Sequence, residues 1–458
     1  MILDSDFRSF GFFWFPDNPD NQVVGLLSIS RNIDIVLELV GPLFTLESHP
    51  KDSTKFDIVF GKLESNKYIV IKQLTLIQPG DAFLFSFQKY HFNATAALIF
   101  NDELPSKYDY TNNLTFSIQN TEEWLKYMPF TVSSTRNQHN PRISYKAPPK
   151  QIVQLSNSMT LRIHYDYCVN NIFSHTQCSL SNQVTFSLKS TKKQHIEEFY
   201  FIADLLRMLF SISLDRYLHI THIESKYKSY FPSKFYIKGI EYDSNSLPNY
   251  PNLYPISFDI LKHNLPDILN RWIELYKISH QPINLFLNIK RKNNTISEIN
   301  YLSLCQATEG FHRINYNKPL FNEEKFNSLY AKIIEVCSDE DERNWIKTNL
   351  AHSNAPYALK RIKELVHPFK KHFGKNSLGY IVKDIVDLRD CLTHQDNNNP
   401  LASIYYNKLE PLFYYVKLIF EMSLMKAIIN DDALINEHIK NSNYFKYMLD
   451  LANSKYRK

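Results

Sequence analysis

Short apolar runs separated by turn-forming residues dominate the first 190 positions and predict β-strands. The runs are rich in Val, Ile, Phe and Thr and fall at 23–29, 33–39, 56–60, 68–76, 96–100, 114–118, 152–155, 161–167 and 184–188. Clusters at 16–19 and 79–81 read as turns, and the proline-containing stretch 133–149 as a loop. This pattern predicts an all-β, sandwich-like or barrel-like domain over residues 1–190.

The pattern changes near Thr191, where apolar residues begin to recur at helical spacing. A helix is expected to follow Thr191, then a strand pair near 217–223 and 234–242. The Pro/Asn-rich stretch 247–252 marks a domain boundary. Residues 191–254 are therefore interpreted as a connector.

From residue 255 to 458 the chain predicts helices joined by short connections, which favours an up-and-down bundle. The candidate helices span 256–277, 297–316, 322–337, 339–350, 357–366, 377–392, 401–429 and 431–451. The aromatic helix within 411–425 is expected in the bundle core rather than at an interface. The predicted fold class is α+β, with a β-rich domain followed by a helical one.

Composition and charge narrow the function classes only slightly. The 458 residues are 44% hydrophobic, and a net charge of +5 permits nucleic-acid binding without requiring it. The five cysteines are widely spaced and form no CxxC, and no signal peptide or apolar span is recognisable, so a reduced, cytoplasmic compartment without a membrane is expected. Phosphate-binding loops, dinucleotide turns and zinc motifs are absent, so neither a metal nor a cofactor is expected.

One short constellation carries chemistry. Arg389 precedes His394 by five residues, at the end of an amphipathic helix and before the polar run 395–400. On a rigid helix the two positions lie about 140° apart, so we expect the helix to fray just after Cys391 and the ring of His394 to turn back. Histidine suits general acid–base work near neutrality, and arginine offers a planar, permanent donor set for phosphate oxygens. The pair therefore suits metal-independent cleavage of RNA by its own 2′-hydroxyl. Taken alone, the spacing is a weak signal and favours the alternative interpretation, a helix-end Arg that caps carbonyls and a His that is merely a polar loop residue.

The segments YIVKDIVDLRDCLTHQD (380–396) and LCQATEGFHR (304–313) resemble the HEPN superfamily, and within it the ApeA-like group of bacterial abortive-infection proteins. The stretches 11–30, 56–78 and 354–365 are similar to further parts of that group. The resemblance implies an anti-phage ribonuclease with a sensor or regulatory β domain over 1–190, a HEPN domain over 255–458, and Arg389 and His394 as catalytic residues. It also implies a homodimer that joins two motifs in one cleft and leaves a 2′,3′-cyclic phosphate, and a phage-derived trigger.

Supporting residues follow from the same reasoning. Asp390 stands where the family often has Asn, and adds negative charge beside the phosphate site. Glu309 is a candidate for orienting Arg389; an intrahelical pair with Arg313 is the alternative. RNA backbone binding is assigned to a run of basic residues, with a solvated helix face as the alternative: Lys360, Arg361, Lys363, Lys370 and Lys371.

Two other functions stay open. One is a catalytically inactive HEPN bundle that binds RNA or dimerises, with a ligand-sensing β domain. The other is a β domain whose binding of a phage protein or carbohydrate is the main activity. The substrate RNA is not specified by any motif.

Overall fold

The structure is a computed structural model that describes residues 6–30, 33–41, 43, 55–78, 89–127, 129–133, 142–170, 179–227, 231–238, 253–316, 318–350, 353–373, 378–394 and 407–456. The chain forms two compact units, one of Met1–Phe210 with Leu218–Asn249 and one of Ser211–Tyr217 with Tyr250–Lys458. The predicted boundary at 247–252 and the turn at 79–81 lie outside the described residues.

The first unit is built on strands, as the alternating pattern predicted. They are β1 Phe7–Phe15, β2 Asn18–Ile29, β3 Ile35–Val40, β4 Lys55–Leu63, β5 Tyr68–Gln78, β6 Lys89–Ala94, β7 Ala96–Phe100, β8 Tyr110–Ile118, β9 Phe130–Ser133, β10 Arg142–Tyr145, β11 Gln151–Gln154, β12 Met159–Asn170, β13 Ser179–His195, β14 Ile220–Ser225 and β15 Ser233–Ile237. Two helices accompany them, α1 Thr121–Trp124 and α2 Ile196–Ser213, whose last residues enter the second unit.

Six of these strands close into an antiparallel barrel. Pairing runs β5, β4, β1, β2, β3, β6, and β6 pairs back to β5. Alternate side chains fill the interior, among them Phe13, Leu37 and Phe92. Gly25 is required where β2 and β3 approach each other, because a Cβ there would lie 2.5 Å from the carbonyl oxygen of Glu38. The barrel-like interpretation is thereby confirmed.

The barrel continues into an open sheet through one shared strand. β5 pairs with β7 over Tyr68–Lys72 and with β6 over Thr75–Gln78. Where the partner changes from β7 to β6, Gln73 has a φ of 52°, and the amide of Thr95 donates to the carbonyl of Lys72 at 3.1 Å. One edge of β5 therefore serves both the barrel and the open sheet.

The open sheet runs on from β7 through β15, β14, β8, β13 and β12 to β11. It contains the strand pair that the sequence predicted inside the connector, so residues of that connector belong to the sheet. The division at residues 190 and 254 stays a prediction. The loop predicted over 133–149 was partly wrong, because Arg142–Tyr145 forms a strand that pairs with β9.

The second unit is helical, as predicted. Its helices are α3 Phe258–Leu261, α4 Leu265–Arg291, α5 Glu298–Tyr316, α6 Glu323–Val336, α7 Glu340–Leu350, α8 Ala358–Val366, α9 Leu378–His394, α10 Leu409–Ile429, α11 Asp432–Asn441 and α12 Asn443–Tyr456. Short 3-10 turns span Lys262–Asn264 and His367–His372. The helix predicted over 431–451 is two helices, α11 and α12. Helices α6 and α7 contribute no buried residue, so the bundle is smaller than the predicted set of helices.

Helix α10 forms the centre of this bundle, since nearly all of its residues are buried. The core location predicted for the aromatic segment 411–425 is confirmed. Helix α4 kinks beside the core at Ser279, three residues before Pro282, whose ring and missing N–H interrupt the helical hydrogen bonds. Within the described part of the chain, no helix is both long and apolar enough to span a bilayer.

A buried ionic cluster ties four segments of the helical unit together. Asp215 accepts hydrogen bonds from Lys290 and Lys417, each at 2.6 Å, and Lys290 lies 3.2 Å from Glu421. Tyr444 donates to Glu421 at 2.9 Å. Burial alone would raise the pKa of Asp215, but the two ammonium groups outweigh it and lower that pKa. The segment Ser211–Tyr217 is therefore anchored in the helical unit by charge.

Replacement of Lys290 by Met should destabilise the helical unit. The change leaves the Asp215 and Glu421 carboxylates buried with one cation fewer, and removing one partner of a buried pair typically costs about 3–5 kcal/mol. Urea unfolding followed by far-ultraviolet circular dichroism measures the loss.

Lys277→Met is the matched control. Lys277 forms an ion pair with Glu274 on the exposed face of α4, and such pairs contribute about 0–1 kcal/mol. Equal effects of the two substitutions would show that the buried cluster adds nothing to stability.

Candidate active site

Three helices of the second unit position the candidate site, and buried hydrogen bonds hold them together. The Tyr301 hydroxyl on α5 donates to the carbonyl oxygen of Ile385 on α9 at 2.8 Å. Burial raises the pKa of Tyr301 well above its ordinary value, so the hydroxyl stays a donor at neutral pH. His312 on α5 lies 2.7 Å from Glu364 on α8, and burial lowers the pKa of His312 despite that carboxylate. Helix α5 is thus pinned to both of its neighbours.

Glu309 is the centre of the site. Its carboxylate is buried and lies between two guanidinium groups from different helices, with Oε1 3.3 Å from Arg389 Nε and Oε2 3.5 Å from Arg361 Nη1. The contact with Arg389 is the one expected from the sequence. The sequence left two alternatives, a contact of Glu309 with Arg389 and an intrahelical pair with Arg313. The structure shows the contact with Arg389, which joins two helices.

Arg389 is held from two sides and still reaches solvent. Its Nη1 lies 2.6 Å from Asp390 Oδ1, and 32% of its side chain is exposed. Burial opposes the charged form, but the hydrogen bond to Asp390 and the charges of Glu309 and Asp390 outweigh it and raise the pKa of Arg389. The guanidinium is therefore permanently charged, oriented, and accessible on one side.

The end of α9 differs from the expectation. The helix was predicted to fray just after Cys391, yet it continues to His394, and the Thr393 hydroxyl donates to the Arg389 carbonyl at 2.7 Å as in a regular turn. Positions 389 and 394 consequently lie about 140° apart around the axis. The polar run 395–400 lies outside the described residues.

The predicted basic residues fall into two groups. Lys363, Lys370 and Lys371 are exposed, and Lys360 is half-buried 3.8 Å from Glu364. Arg361 is different, because it is buried against Glu309 and belongs to the site rather than to a solvated face. Its spacing from Leu365 indicates this, since residues four apart share a helix face.

The residues around Glu309 do not favour a cysteine nucleophile or a metal site. Cys305 lies near Glu309, but burial raises the pKa of its thiol to about 12, so it is not a nucleophile at neutral pH. Among the described residues, no group of three or more His, Cys, Asp and Glu side chains has the arrangement of a metal site. The arrangement presents one oriented guanidinium to an oxyanion.

Comparison with known families agrees with the two units. A model described as ApeA N-terminal domain 1 matches residues 8–272, and a model described as Apea-like HEPN matches residues 302–430. The second match contains Glu309, Arg361, Arg389, Asp390 and His394. No curated protein and no solved structure matches the chain.

Replacement of Asp390 by Asn should strengthen phosphate binding at Arg389. The carboxylate competes with any incoming anion for Nη1, and an amide oxygen is a weaker competitor. We expect a several-fold tighter apparent affinity for inorganic phosphate, measured as the rise in melting temperature with phosphate concentration.

Asp432→Asn provides the control, since it removes an exposed Asp that pairs with Lys426 at 2.9 Å elsewhere in the same unit. If both variants gain equally, the effect is one of net charge and not of the Arg389 contact.

Proposed function

The chain belongs to the ApeA family, and from this premise we propose that it is a cytoplasmic, anti-phage abortive-infection ribonuclease that cleaves RNA without a metal ion. HEPN domains are in general endoribonucleases. The observation that carries the proposal for this chain is the Arg389 guanidinium, oriented by Glu309 and open to solvent, on the helix that ends at His394.

The proposed reaction uses the nucleophile already present in RNA. His394 removes the proton of the ribose 2′-hydroxyl as its oxygen bonds to phosphorus, and Arg389 stabilises the negative charge of the phosphorane. The bond to the 5′-oxygen then breaks, and that oxygen leaves with a proton from a second acid. The products are a 2′,3′-cyclic phosphate and a 5′-hydroxyl.

A composite site in a homodimer meets the geometric requirement. Because α9 stays helical to His394, the two motif positions of one subunit diverge around the helix axis. A two-fold axis would bring Arg389 of one protomer towards His394 of its partner, and would also supply two histidines, one as base and one as acid. This arrangement explains how an unfrayed helix can still be catalytic.

The β-rich unit is proposed to sense infection and to restrain the nuclease. A nuclease that acts on the host's own RNA requires restraint, and the β unit is the part of the chain outside the nuclease domain. A phage-derived molecule is the proposed trigger.

One observation favours a second candidate, an inactive HEPN module that binds RNA or dimerises. Two carboxylates contact Arg389, one of them shared with Arg361, so its charge is compensated before any phosphate arrives. A binding module tolerates this neutralised arginine better than a catalyst does. A catalyst requires positive charge that is free to stabilise the transition state.

Replacement of His394 by Ala should abolish RNA cleavage by purified protein. Loss of general acid–base catalysis typically costs about 10²- to 10⁴-fold in rate. Native protein should cleave equally well with and without EDTA and leave 2′,3′-cyclic phosphate ends, detected by sequencing of RNA termini. His263→Ala, an exposed histidine before α4, is the control.

In cells, the same variant separates the two candidates. A nuclease loses both growth toxicity and phage protection with His394→Ala, whereas a binding module keeps both. Cleavage that depends on a divalent metal would contradict the proposed mechanism.

Mixing two inactive variants tests the composite site. Arg389→Ala and His394→Ala subunits should each be inactive alone, and co-expression should restore part of the cleavage in mixed dimers, which keep one intact Arg and one intact His as base but lack the second His as acid. Light scattering measures the oligomeric state. No recovery in verified mixed dimers would place the site within one subunit.

A further inference from the structure

A cavity of about 550 Å³ lies beside the candidate site, between the end of α5 and the start of α8. Its volume falls within the range of roughly 300–1,000 Å³ that is common for small-molecule sites. Its lining comprises Arg313, Leu320, Ser353, Ala355, Pro356, Tyr357 and Arg361.

The wall of this cavity is fixed by one asparagine. The backbone carbonyl of Asn354 accepts from the Leu320 amide at 2.8 Å. Its side-chain oxygen accepts from the Phe321 amide at 2.8 Å, and its side-chain nitrogen donates to the Phe321 carbonyl at 3.0 Å. Three hydrogen bonds therefore join the two segments that form the wall, so the cavity is present before any ligand arrives.

Two arginines line the cavity, and the protein does not fully pair their guanidinium groups. Arg361 is buried, and its Nε has no hydrogen-bond partner among the described residues. Burial, followed by the charge of Arg313, lowers the pKa of Arg361, and Glu309 offsets this only in part. Arg313 is exposed and forms no ion pair within the described part of the chain. Because Arg313 and Arg361 both line the cavity, an anion there would relieve the repulsion between the two guanidinium groups.

An aromatic ring stands at the same cavity. Tyr357 is 60% exposed and is the N-cap residue of α8, which has neither a side-chain cap nor an acidic residue in its first turn. An exposed ring beside two arginines is the combination on which single-stranded nucleic acids bind, with bases on the ring and phosphates on the cations.

We propose that this cavity binds one nucleotide of a single-stranded RNA, with its phosphate on Arg313 and Arg361 and its base against Tyr357. This proposal rests on the proposed nuclease function in one respect. It assumes that the next phosphodiester of the same strand binds at Arg389. Glu309 connects the two positions, because Arg361 and Arg389 contact opposite oxygens of its carboxylate. The proposal therefore places one RNA strand across both guanidinium groups.

The test uses the full chain and a short, fluorescent, fully 2′-O-methylated single-stranded RNA of mixed sequence. Such RNA has no free 2′-hydroxyl, so binding is measured without cleavage. Tyr357→Ala should weaken binding by about 5- to 100-fold, as expected for loss of base stacking, while Tyr357→Phe should bind like the native protein. Arg313→Ala should reduce the slope of log affinity against log salt by about 0.7, the contribution of one phosphate on a single strand.

Two exposed residues on other parts of the helical unit serve as controls. Tyr380→Ala removes another exposed ring and Arg291→Ala another exposed guanidinium, and both should leave affinity and salt slope unchanged. Native-like binding by Tyr357→Ala and Arg313→Ala, or no binding of the probe by the native protein, would overturn the proposal.

A free nucleotide presents the same phosphate chemistry and needs a separate arm. If uridine monophosphate binds the native protein and loses affinity in the Arg313 and Tyr357 variants while RNA binding is unchanged, the cavity serves a free nucleotide and the proposal is wrong. Competition by uridine monophosphate only at far higher concentration than the RNA supports it. Persistent cleavage by His394→Ala would reject the nuclease mechanism and leave these binding results standing.

Discussion

The shared carboxylate of Glu309 is the constraint on which the candidate site depends. One buried anion sits between two guanidinium groups that come from separate helices, and each group is buried at least in part. Neither arginine could be placed there without it, because an unpaired buried charge is far more costly than an exposed one. The same carboxylate orients Arg389, holds Arg361 at the neighbouring cavity, and joins α5 to α8 and α9. A single residue thus determines the geometry of two phosphate-sized positions.

The balance of charge around Arg389 explains why family membership alone does not set the level of activity. Glu309 orients the guanidinium from within the bundle, whereas Asp390 occupies a donor that a phosphate would use. Arg313 and the unpaired Nε of Arg361 restore positive charge a short distance away. An RNA strand that engages both places would bring its phosphates to a surface that is cationic overall, although Arg389 alone is fully compensated. This view unites the nuclease proposal with the adjacent nucleotide cavity.

The two units satisfy their buried polar groups in different ways. The β unit satisfies its backbone through continuous antiparallel pairing, and strand β5, which pairs with both β6 and β7, closes the barrel and starts the open sheet. The helical unit instead holds four charged side chains, Asp215 among them, in its interior and neutralises them within a few ångströms. That cluster includes a segment, Ser211–Tyr217, that lies between two parts of the β unit in the chain. The polypeptide therefore passes through the helical unit before it completes the sheet.

The sequence by itself determined the α+β class and most strand and helix positions, because hydrophobic periodicity is a property of short segments. The Arg389–His394 motif came from the family resemblance, and its role stays a prediction. The sequence also pointed to Glu309, whose place on α5 could be derived from the helical repeat. Tertiary structure alone decided that six strands close into a barrel, that α6 and α7 stay outside the core, and that Arg361 is buried rather than solvated. Helix α9 continues to His394, where a loosened turn was expected. The cavity of Arg313 and Tyr357 could not be found from sequence, because these two residues are 44 positions apart and the hydrogen bonds of Asn354 join the segments that form its wall. Such contacts depend on how helices pack, and no local pattern along the chain encodes that packing.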